Sequence, residues 1–173
     1  MHDDIHPAAP SAGASAPGTS AGPQPMAVPP PPPPPPAEDA PVEAWRSWFD
    51  AIGASRALGL RCTDAQPGRI VARFTGDGFP PNPNGALFGG LVVAAADQVM
   101  GMCAYSSVPD RLPATATLQT SFLRPAFGPL TYAARVVQRG RSMLFLDATA
   151  EDRDGRLCAT FTGCWVANAA TPR

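Results

Sequence analysis

A single carboxylate, Asp97, lies inside the most apolar stretch of this chain of 173 residues, which runs from residue 87 to residue 104. No other charged residue occurs between Asp77 and Asp110. Burying an ionised group without a partner is very costly, so Asp97 must find a partner or lie at a cavity. A carboxylate held in such a place can act as a general base or as a nucleophile. Asp97 is therefore the first candidate for chemistry.

Two glycines precede Asp97 at positions that suit the stabilisation of negative charge. Gly89 and Gly90 fall in the first turn of a predicted helix, where backbone amides lack helical partners and the helix dipole is positive. Glycine also leaves room for a substrate to approach the backbone. Hydrolysis of a carbonyl compound needs such donors, because the carbonyl oxygen becomes negative when a base or nucleophile attacks.

The distribution of histidine excludes several kinds of catalytic site. The only two histidines, His2 and His6, precede the predicted domain, so Ser-His-Asp triads, Cys-His pairs and histidine metal sites are excluded within it. The sequence also lacks GxSxG, Walker A and GxGxxG motifs. If the domain is an enzyme, its acid-base group is a carboxylate, and we expect no metal or redox cofactor.

Composition divides the chain into a tail and one domain. Residues 1–42 are dominated by Pro, Ala, Gly and Ser and contain an unbroken proline run from Pro29 to Pro36. Such a segment cannot offset its ordering entropy with a core, so we predict a disordered tail whose proline run is a stiff polyproline II rod. The run is either a spacer or a ligand for a proline-binding domain. We also predict a folded domain over residues 43–168 and a short C-terminal tail over residues 169–173.

The remaining composition favours a cytoplasmic protein. The acidic start has no apolar region typical of a signal peptide, and the four cysteines show no CxxC spacing, which favours reduced thiols. All thirteen basic residues are arginine, and they form no basic run that would indicate nucleic-acid binding. Residues 87–104 are long enough to span a membrane, but three glycines, Asp97 and Gln98 favour a helix buried inside a soluble fold.

Hydrophobic periodicity predicts an α+β domain. The pattern indicates a short helix over residues 44–52 with Gly53 as a stop, and a long apolar helix from about 87 to 105. Runs rich in β-branched residues predict six strands, over residues 58–63, 69–74, 114–122, 130–138, 143–150 and 156–166. An antiparallel sheet wrapped around the long helix would explain why that helix has no polar face.

The segment from Asn82 to Asp97 resembles the core motif of hotdog-fold acyl-CoA thioesterases, most closely the PaaI-type and 4-hydroxybenzoyl-CoA thioesterase group. That motif is an Asn, a Gly, a His-Gly-Gly unit, six residues and an Asp. The matching residues here are Asn82, Gly85, Gly89, Gly90 and Asp97. Later segments resemble the family's third strand and following hairpins, namely residues 117–125, 140–142 and 152–157, so that the resemblance covers residues 44–168.

The resemblance implies a role for each of these residues in hydrolysis of an acyl-CoA. Asp97 would be the base or nucleophile, the Gly89 amide the oxyanion donor, Asn82 the group that holds the water or the carbonyl oxygen, and Thr115 a water-orienting hydroxyl. Substrate contacts would come from Phe88, Gly90, Arg141 and Ser142. The resemblance also implies a homodimer or homotetramer, with Asp97 of one chain facing Asn82 and Gly89 of another.

One departure from the family pattern concerns the residue before the glycine pair. The family's usual histidine is Phe88 here. The backbone amide of Gly89 does not depend on that side chain, so an oxyanion site can persist. The hydrogen bond that the histidine would give near the thioester is lost. Phe88 is instead expected to line an acyl pocket, together with other apolar residues: Phe79, Met100, Met102 and Phe122.

Each role has a simpler alternative. Asp97 could be an ordinary salt-bridged residue, Asn82 a turn residue between two prolines, Thr115 a plain strand residue, and Arg141 with Ser142 a solvated hairpin. At the level of function, the alternatives are a non-catalytic acyl-CoA-binding protein and another acyl-thioester enzyme such as a hydratase. The sequence leaves open whether the acyl group is medium-chain or aryl.

Overall fold

The computed structural model describes residues 32–167. Residues 1–31 of the predicted N-terminal tail, 1–42, and the whole predicted C-terminal tail, 169–173, therefore lie outside the described residues. Three helices and six strands follow one another along the chain in the order α1, α2, β1, β2, α3, β3, β4, β5, β6. Their bounds are Val42–Ala51, Gly53–Leu58, Leu60–Gln66, Arg69–Phe74, Gly89–Ser107, Ala114–Phe122, Leu130–Arg139, Met143–Glu151 and Leu157–Val166.

The six strands form one antiparallel sheet in the order β1-β2-β4-β5-β6-β3. Side chains alternate across it, as the period of two in a strand requires. In β4, for example, Leu130, Tyr132 and Ala134 are buried while the residues between them are exposed. The chain therefore has the predicted α+β architecture, with β1 and β3 at the two edges of the sheet.

The long helix α3 packs against the buried face of the sheet, where it contacts β2, β4, β5 and β6. Small residues such as Ala95 and Ala96 are fully buried there and let the helix approach the strands closely. A hydrogen bond fixes this contact, since the Tyr132 hydroxyl donates to the carbonyl of Val92 at 3.1 Å. The predicted buried helix is confirmed.

One side of α3 is not covered by the sheet. Gly90 and Ala94 are exposed, and Asp97 and Gly101 are only half-buried. These residues are spaced by three or four positions, so they form one stripe along the helix. The physical reason is the carboxylate itself, because an ionised Asp97 cannot face the apolar surface of the sheet. We call this stripe the open side of α3.

The N-terminal helices differ in one detail from the prediction. Helix α1 ends at Ala51, close to the expected position, and buries Trp45, Trp48 and Phe49. Gly53, however, does not end the helical region but begins a second helix, α2. The stop lies at Gly59, whose φ of 71° places it in the left-handed region that ends helices. Strand β1 accordingly starts at Leu60 rather than at residue 58.

All four cysteines carry free thiols. Burial raises the pKa of the Cys103 thiol to about 12 and that of Cys62 to about 11, because a thiolate would lose its hydration there. Such thiols pack as small apolar groups and are poor nucleophiles near neutral pH. Within residues 32–167, no helix combines the length and apolar character that crossing a bilayer requires.

Tyr132→Phe is expected to lower the free energy of unfolding by about 1 kcal/mol, because it removes the buried hydrogen bond to Val92 and leaves the ring packing intact. Urea unfolding followed by circular dichroism measures this. Thr131→Val, at the exposed neighbouring position, is the matched control and should change the value by less than about 0.5 kcal/mol. Equal stability of Tyr132→Phe and the parent protein would contradict the role of this bond.

Candidate active site

The loop before α3 is held in shape by the side chain of Asn82. Its Oδ1 accepts hydrogen bonds from the backbone amides of Asn84, at 2.9 Å, and of Ala86, at 3.1 Å. This is the local pattern by which Asn stabilises turns. Its Nδ2 makes only a long contact of 3.5 Å with the Leu87 carbonyl, which is at the limit of hydrogen bonding. The oxygen of Asn82 is therefore used by the loop, whereas its amide nitrogen has donor capacity left.

The first turn of α3 presents two free amides beside that loop. Among residues 32–167, neither the Gly89 nor the Gly90 amide has a hydrogen-bond acceptor, as expected for the start of a helix. The chain just before them is clamped, because the Leu87 amide donates to the Ala126 carbonyl at 2.8 Å. A Cβ added to Gly89 would lie only 3.3 Å from the ring of Phe122. Glycine at this position keeps its amide accessible.

Asn82 and Gly89 share a cleft of about 330 Å³ between the loop, the start of α3 and the segment after β3. We call it the Gly89 cleft. Its lining is otherwise mostly apolar and comprises Ala86, Leu87, Val92, Phe122, Leu123, Pro125 and Ala126, with Asn84 and Arg124 as further polar members. The sequence analysis gave Arg124 no role. The sequence feature that could have pointed to Arg124 is its position directly before Pro125, as the one cation at the end of β3.

Asp97 has the partner that the sequence required. The hydroxyl of Thr115, at the start of β3, donates to Asp97 Oδ1 at 2.9 Å. This bond joins the open side of α3 to the edge strand and fixes the orientation of the carboxylate. Because carboxylate oxygens together offer about four acceptor sites, most of the capacity of Asp97 stays available. Thr115 is thus brought to Asp97, and its role as a water-orienting hydroxyl stays a prediction.

A second cleft, of about 300 Å³, opens on Asp97. We call it the Asp97 cleft. Its polar end contains Thr115 and Gln98, and the Gln98 side chain is held by a hydrogen bond of 3.0 Å from its Nε2 to Ser55. The rest of its lining is mainly apolar: Pro32, Ile52, Gly101, Met102, Tyr105, Leu112, Pro113, Ala114 and Trp165. A carboxylate at the end of an apolar cleft suits a substrate with a reactive polar group and an apolar body.

Within one chain, the predicted catalytic residues form two pairs rather than one cluster. Asn82 and Gly89 line one cleft, and Asp97 and Thr115 line the other. Eight residues of helix separate Gly89 from Asp97, which corresponds to about 12 Å along the helix axis. A base and an oxyanion donor that serve the same carbonyl must both lie within about 3 Å of the reacting atoms. Within one copy of the chain, the two pairs therefore cannot act on the same carbonyl.

The predicted substrate contacts lie elsewhere. Phe88 caps the start of α3 with its side chain 57% exposed, and its ring lies against Gly90. Arg141 and Ser142 lie in the turn between β4 and β5, where their carbonyls accept hydrogen bonds from Arg111 and from the amide of Ala167. None of these four predicted residues lines the Gly89 cleft or the Asp97 cleft.

The expected apolar pocket residues are only partly placed at the clefts. Met102 lines the Asp97 cleft and Phe122 lines the Gly89 cleft. Met100 is instead fully buried in the core, and Phe79 packs against Phe74 with ring centroids 6.4 Å apart. Met100 is one of the buried residues of α3 that belong to the hydrophobic core.

The chemistry available in the two clefts is acid-base catalysis and the stabilisation of a negative oxygen. A carboxylate oriented by a hydroxyl can take a proton from water or attack a carbonyl directly. Free amides at a helix start, with an Asn nitrogen beside them, can donate to an oxyanion. Within residues 32–167, no group of three or more His, Cys, Asp or Glu side chains is arranged to hold a metal ion.

Comparisons with known proteins identify the family and the fold. A family model described as the thioesterase superfamily matches residues 84–159. A thioesterase family protein from Silicibacter pomeroyi is 30% identical, with a TM-score of 0.66 over 72% of this chain and 96% of that one. The PaaI protein from the phenylacetic acid degradation operon of E. coli is 21% identical, with a TM-score of 0.66 over 72% of this chain and 91% of that one. These structures confirm the predicted hotdog fold.

A curated relative from Saccharolobus solfataricus carries the name "Putative esterase SSO2140". It is 27% identical over 109 residues, which make up 62% of this chain and 78% of that protein. The matched family model begins at residue 84, two residues after Asn82, and includes both Gly89 and Asp97. The similarity therefore falls on the segments that form the two clefts.

Asn82→Ala is expected to destabilise the protein by about 1–3 kcal/mol, because the backbone amides of Asn84 and Ala86 lose their shared acceptor. Asn82→Asp is the matched control, since an Asp oxygen can accept both bonds, and it should keep the parent stability to within about 0.5 kcal/mol. Urea unfolding of the three proteins measures this. If Asn82→Ala were as stable as Asn82→Asp, the side chain would not hold the loop.

Proposed function

This chain belongs to the thioesterase superfamily, and from that membership we propose that it hydrolyses an acyl-CoA thioester to a free acid and coenzyme A. The observation that carries the proposal is the division of the predicted residues into two pairs. Asp97 with Thr115 supplies a base or nucleophile, and Gly89 with Asn82 supplies oxyanion donors. A thioester needs both on opposite sides of one carbonyl, so the active site forms between two copies of the chain.

The edge strand β3 is the place where a second copy would join. It is paired on one side only, with β6, and most of its nine residues are exposed. At its end, Phe122 and Leu123 are 53% and 54% exposed. An exposed edge with apolar residues is a ready template for another strand. The small residues Gly90 and Ala94 on the open side of α3 would let the second copy approach closely.

The two ends of β3 carry the two halves of the site. Thr115, which binds Asp97, lies near its start, and Phe122, which contacts Gly89, lies at its end. When two identical strands pair in antiparallel fashion about a two-fold axis, the start of each lies beside the end of the other. Such a dimer brings Asp97 of one copy toward Gly89 and Asn82 of the partner subunit. It contains two equivalent sites.

In the proposed reaction, Thr115 holds Asp97 through one oxygen and leaves the carboxylate free to act on water. Asp97 takes a proton from water as the oxygen attacks the thioester carbonyl, or it attacks the carbonyl itself and water then releases the acid. The amide of Gly89 and the Nδ2 of Asn82 in the partner subunit donate to the oxygen that becomes negative. The carbon–sulfur bond then breaks, and the thiolate of coenzyme A takes up a proton. Loss of one oxyanion donor typically costs about 10² to 10³ in rate.

The acyl group proposed for the site is medium-chain or aryl, since Met102, Leu112 and Trp165 give the Asp97 cleft an apolar lining. Arg141 and Ser142 stay proposed contacts for the coenzyme A phosphates, to which we add Arg124 at the Gly89 cleft. Phe88, in place of the family's usual histidine, contributes apolar surface but no hydrogen bond. The four free thiols support a cytoplasmic location.

Phe88 also favours a second candidate function. A site without the usual histidine could bind acyl-CoA without hydrolysing it, as a non-catalytic hotdog protein would. The two functions differ in one measurement, since only hydrolysis releases a free thiol from a bound acyl-CoA. A hydratase is the third possibility, and it would consume an enoyl-CoA without releasing thiol.

Asp97→Asn is expected to lower thiol release from acyl-CoA substrates by a factor of about 10² or more, because an amide cannot accept the proton of water or form an acyl intermediate. Asp110→Asn is the matched control, since Asp110 is an exposed aspartate that forms a surface pair with Arg111, and it should retain the parent rate. Both variants should unfold at the parent urea concentration. Undiminished turnover by Asp97→Asn would remove Asp97 from the mechanism.

A site shared between two copies of the chain predicts that activity returns when two inactive variants are combined. Asp97→Asn and Asn82→Asp are mixed in equal amounts, unfolded and refolded together. Half of the dimers are then hybrids, and each hybrid has one site with a parent Asp97 and a parent Asn82. The mixture should recover about a quarter of the parent rate, as random pairing about a two-fold axis requires. Each variant refolded alone is the control. A mixture no more active than the two variants alone would place the whole site within one copy.

A further inference from the structure

A short proline segment packs against the domain beside the Asp97 cleft. Residues 32–36 are all proline, and we call them the proline strap. The indole Nε1 of Trp48, on α1, donates to the carbonyl of Pro33 at 3.0 Å. Pro35 is buried, whereas Pro34 is exposed. The strap is therefore anchored by one hydrogen bond and one buried ring.

The strap reaches the Asp97 cleft by two routes. Pro32 lines the cleft directly. Tyr105 lines it too, and its ring packs against that of Trp48 with centroids 5.8 Å apart. The same Trp48 that binds Pro33 therefore supports a wall of the cleft. A change in the strap acts on the cleft through Pro32 and through the Trp48–Tyr105 contact.

Proline suits a wall of this kind. Its ring fixes φ, so a proline segment loses little backbone freedom when it packs. The polyproline II conformation makes no internal hydrogen bonds, which leaves carbonyls such as that of Pro33 free to accept from a side chain. The resulting segment is stiff, and a stiff segment does not bend outward to admit a longer ligand as a glycine-rich loop would.

We propose that the proline strap sets the size of the acyl group that the Asp97 cleft accepts. This inference rests on the proposed function, because it assumes that the thioester carbonyl lies at Asp97 and that the acyl group extends into the apolar part of the cleft. With the strap in place, the cleft of about 300 Å³ is at the small end of ligand pockets. Acyl chains that exceed it collide with the strap.

The test uses the full chain with two substitutions in the strap. The double variant Pro32→Ser, Pro35→Ser removes the ring that lines the cleft and the ring that is buried. Pro34→Ser, at the exposed position, is the matched control. The ratio kcat/KM is measured for straight-chain acyl-CoAs of increasing length. Beyond the longest chain that the parent protein accepts well, each added methylene should raise kcat/KM of the double variant by up to about fourfold.

The expected pattern distinguishes a strap that limits the length of the acyl chain from substitutions that damage the structure in general. The double variant should gain on long chains and keep the parent value on short ones, while Pro34→Ser follows the parent protein throughout. Trp48→Phe removes the donor to Pro33 together with part of the ring that packs against Tyr105, and it should shift the length profile in the same direction by a smaller factor. A double variant with the parent length profile, or one that loses activity on all chains alike while Trp48→Phe leaves the profile unchanged, would overturn the proposal.

Failure of the proposed function would be recognised separately. If the parent protein releases no thiol from any acyl-CoA, the same series is measured as dissociation constants of the intact acyl-CoAs. If the double variant binds longer acyl-CoAs than Pro34→Ser does, the role proposed for the strap is supported, although the protein does not hydrolyse them. Equal limits, or no binding of any acyl-CoA, overturn it.

Docking of the proline strap on the domain can be measured without substrate, by NMR. The indole N–H signal of Trp48 is identified in the NMR spectrum as the one that Trp48→Phe removes. Its exchange with solvent should be faster in the double variant than in the parent protein or in Pro34→Ser. Equal exchange in all three would show that the strap does not protect Trp48 and would overturn the proposal.

Discussion

The hydrogen bond between Thr115 and Asp97 is the contact on which the arrangement of the site depends. A carboxylate cannot be placed against the apolar face of a sheet, so α3 packs with Asp97 turned away from it. That choice leaves one stripe of the helix open, with the small residues Gly90 and Ala94 on the same side. Thr115 then ties the carboxylate to the edge strand β3. The orientation of the central helix thus suits its one charged side chain, which is bound to the strand beside the open side.

The edge strand β3 lies between the Thr115–Asp97 contact and the other pair of candidate residues, Asn82 and Gly89. β3 is paired only with β6, and its two ends lie beside the two clefts. The separation of Gly89 from Asp97 along a rigid helix cannot be shortened by movement of a loop, because both residues belong to the same α-helix. In the proposed dimer through β3, one two-fold axis joins both pairs of residues twice.

The surroundings of the two clefts are rigid for different reasons. The loop before α3 depends on Asn82, whose oxygen satisfies two backbone amides. The far side of the Asp97 cleft is bounded by Pro32 and Tyr105. Trp48 packs against Tyr105 and donates to the carbonyl of Pro33. In both cases the backbone groups that are held lie outside the helices and strands. In both, a single side chain forms hydrogen bonds with backbone polar groups. Both arrangements lie beside a cleft that contains a candidate catalytic group.

The sequence by itself determined the succession of elements, the long apolar helix and the importance of Asp97, because periodicity and the isolation of a charge are local properties. The resemblance to a known family also predicted roles for Asn82, Gly89 and Thr115. The sequence did not indicate that Gly53 begins a helix, since a glycine permits both a stop and a start. Only the tertiary structure decided that Asp97 meets Thr115, eighteen positions away, and that Pro33 meets Trp48, fifteen positions away. Such contacts depend on how whole elements pack, and packing is the sum of many small interactions that no short stretch of sequence contains.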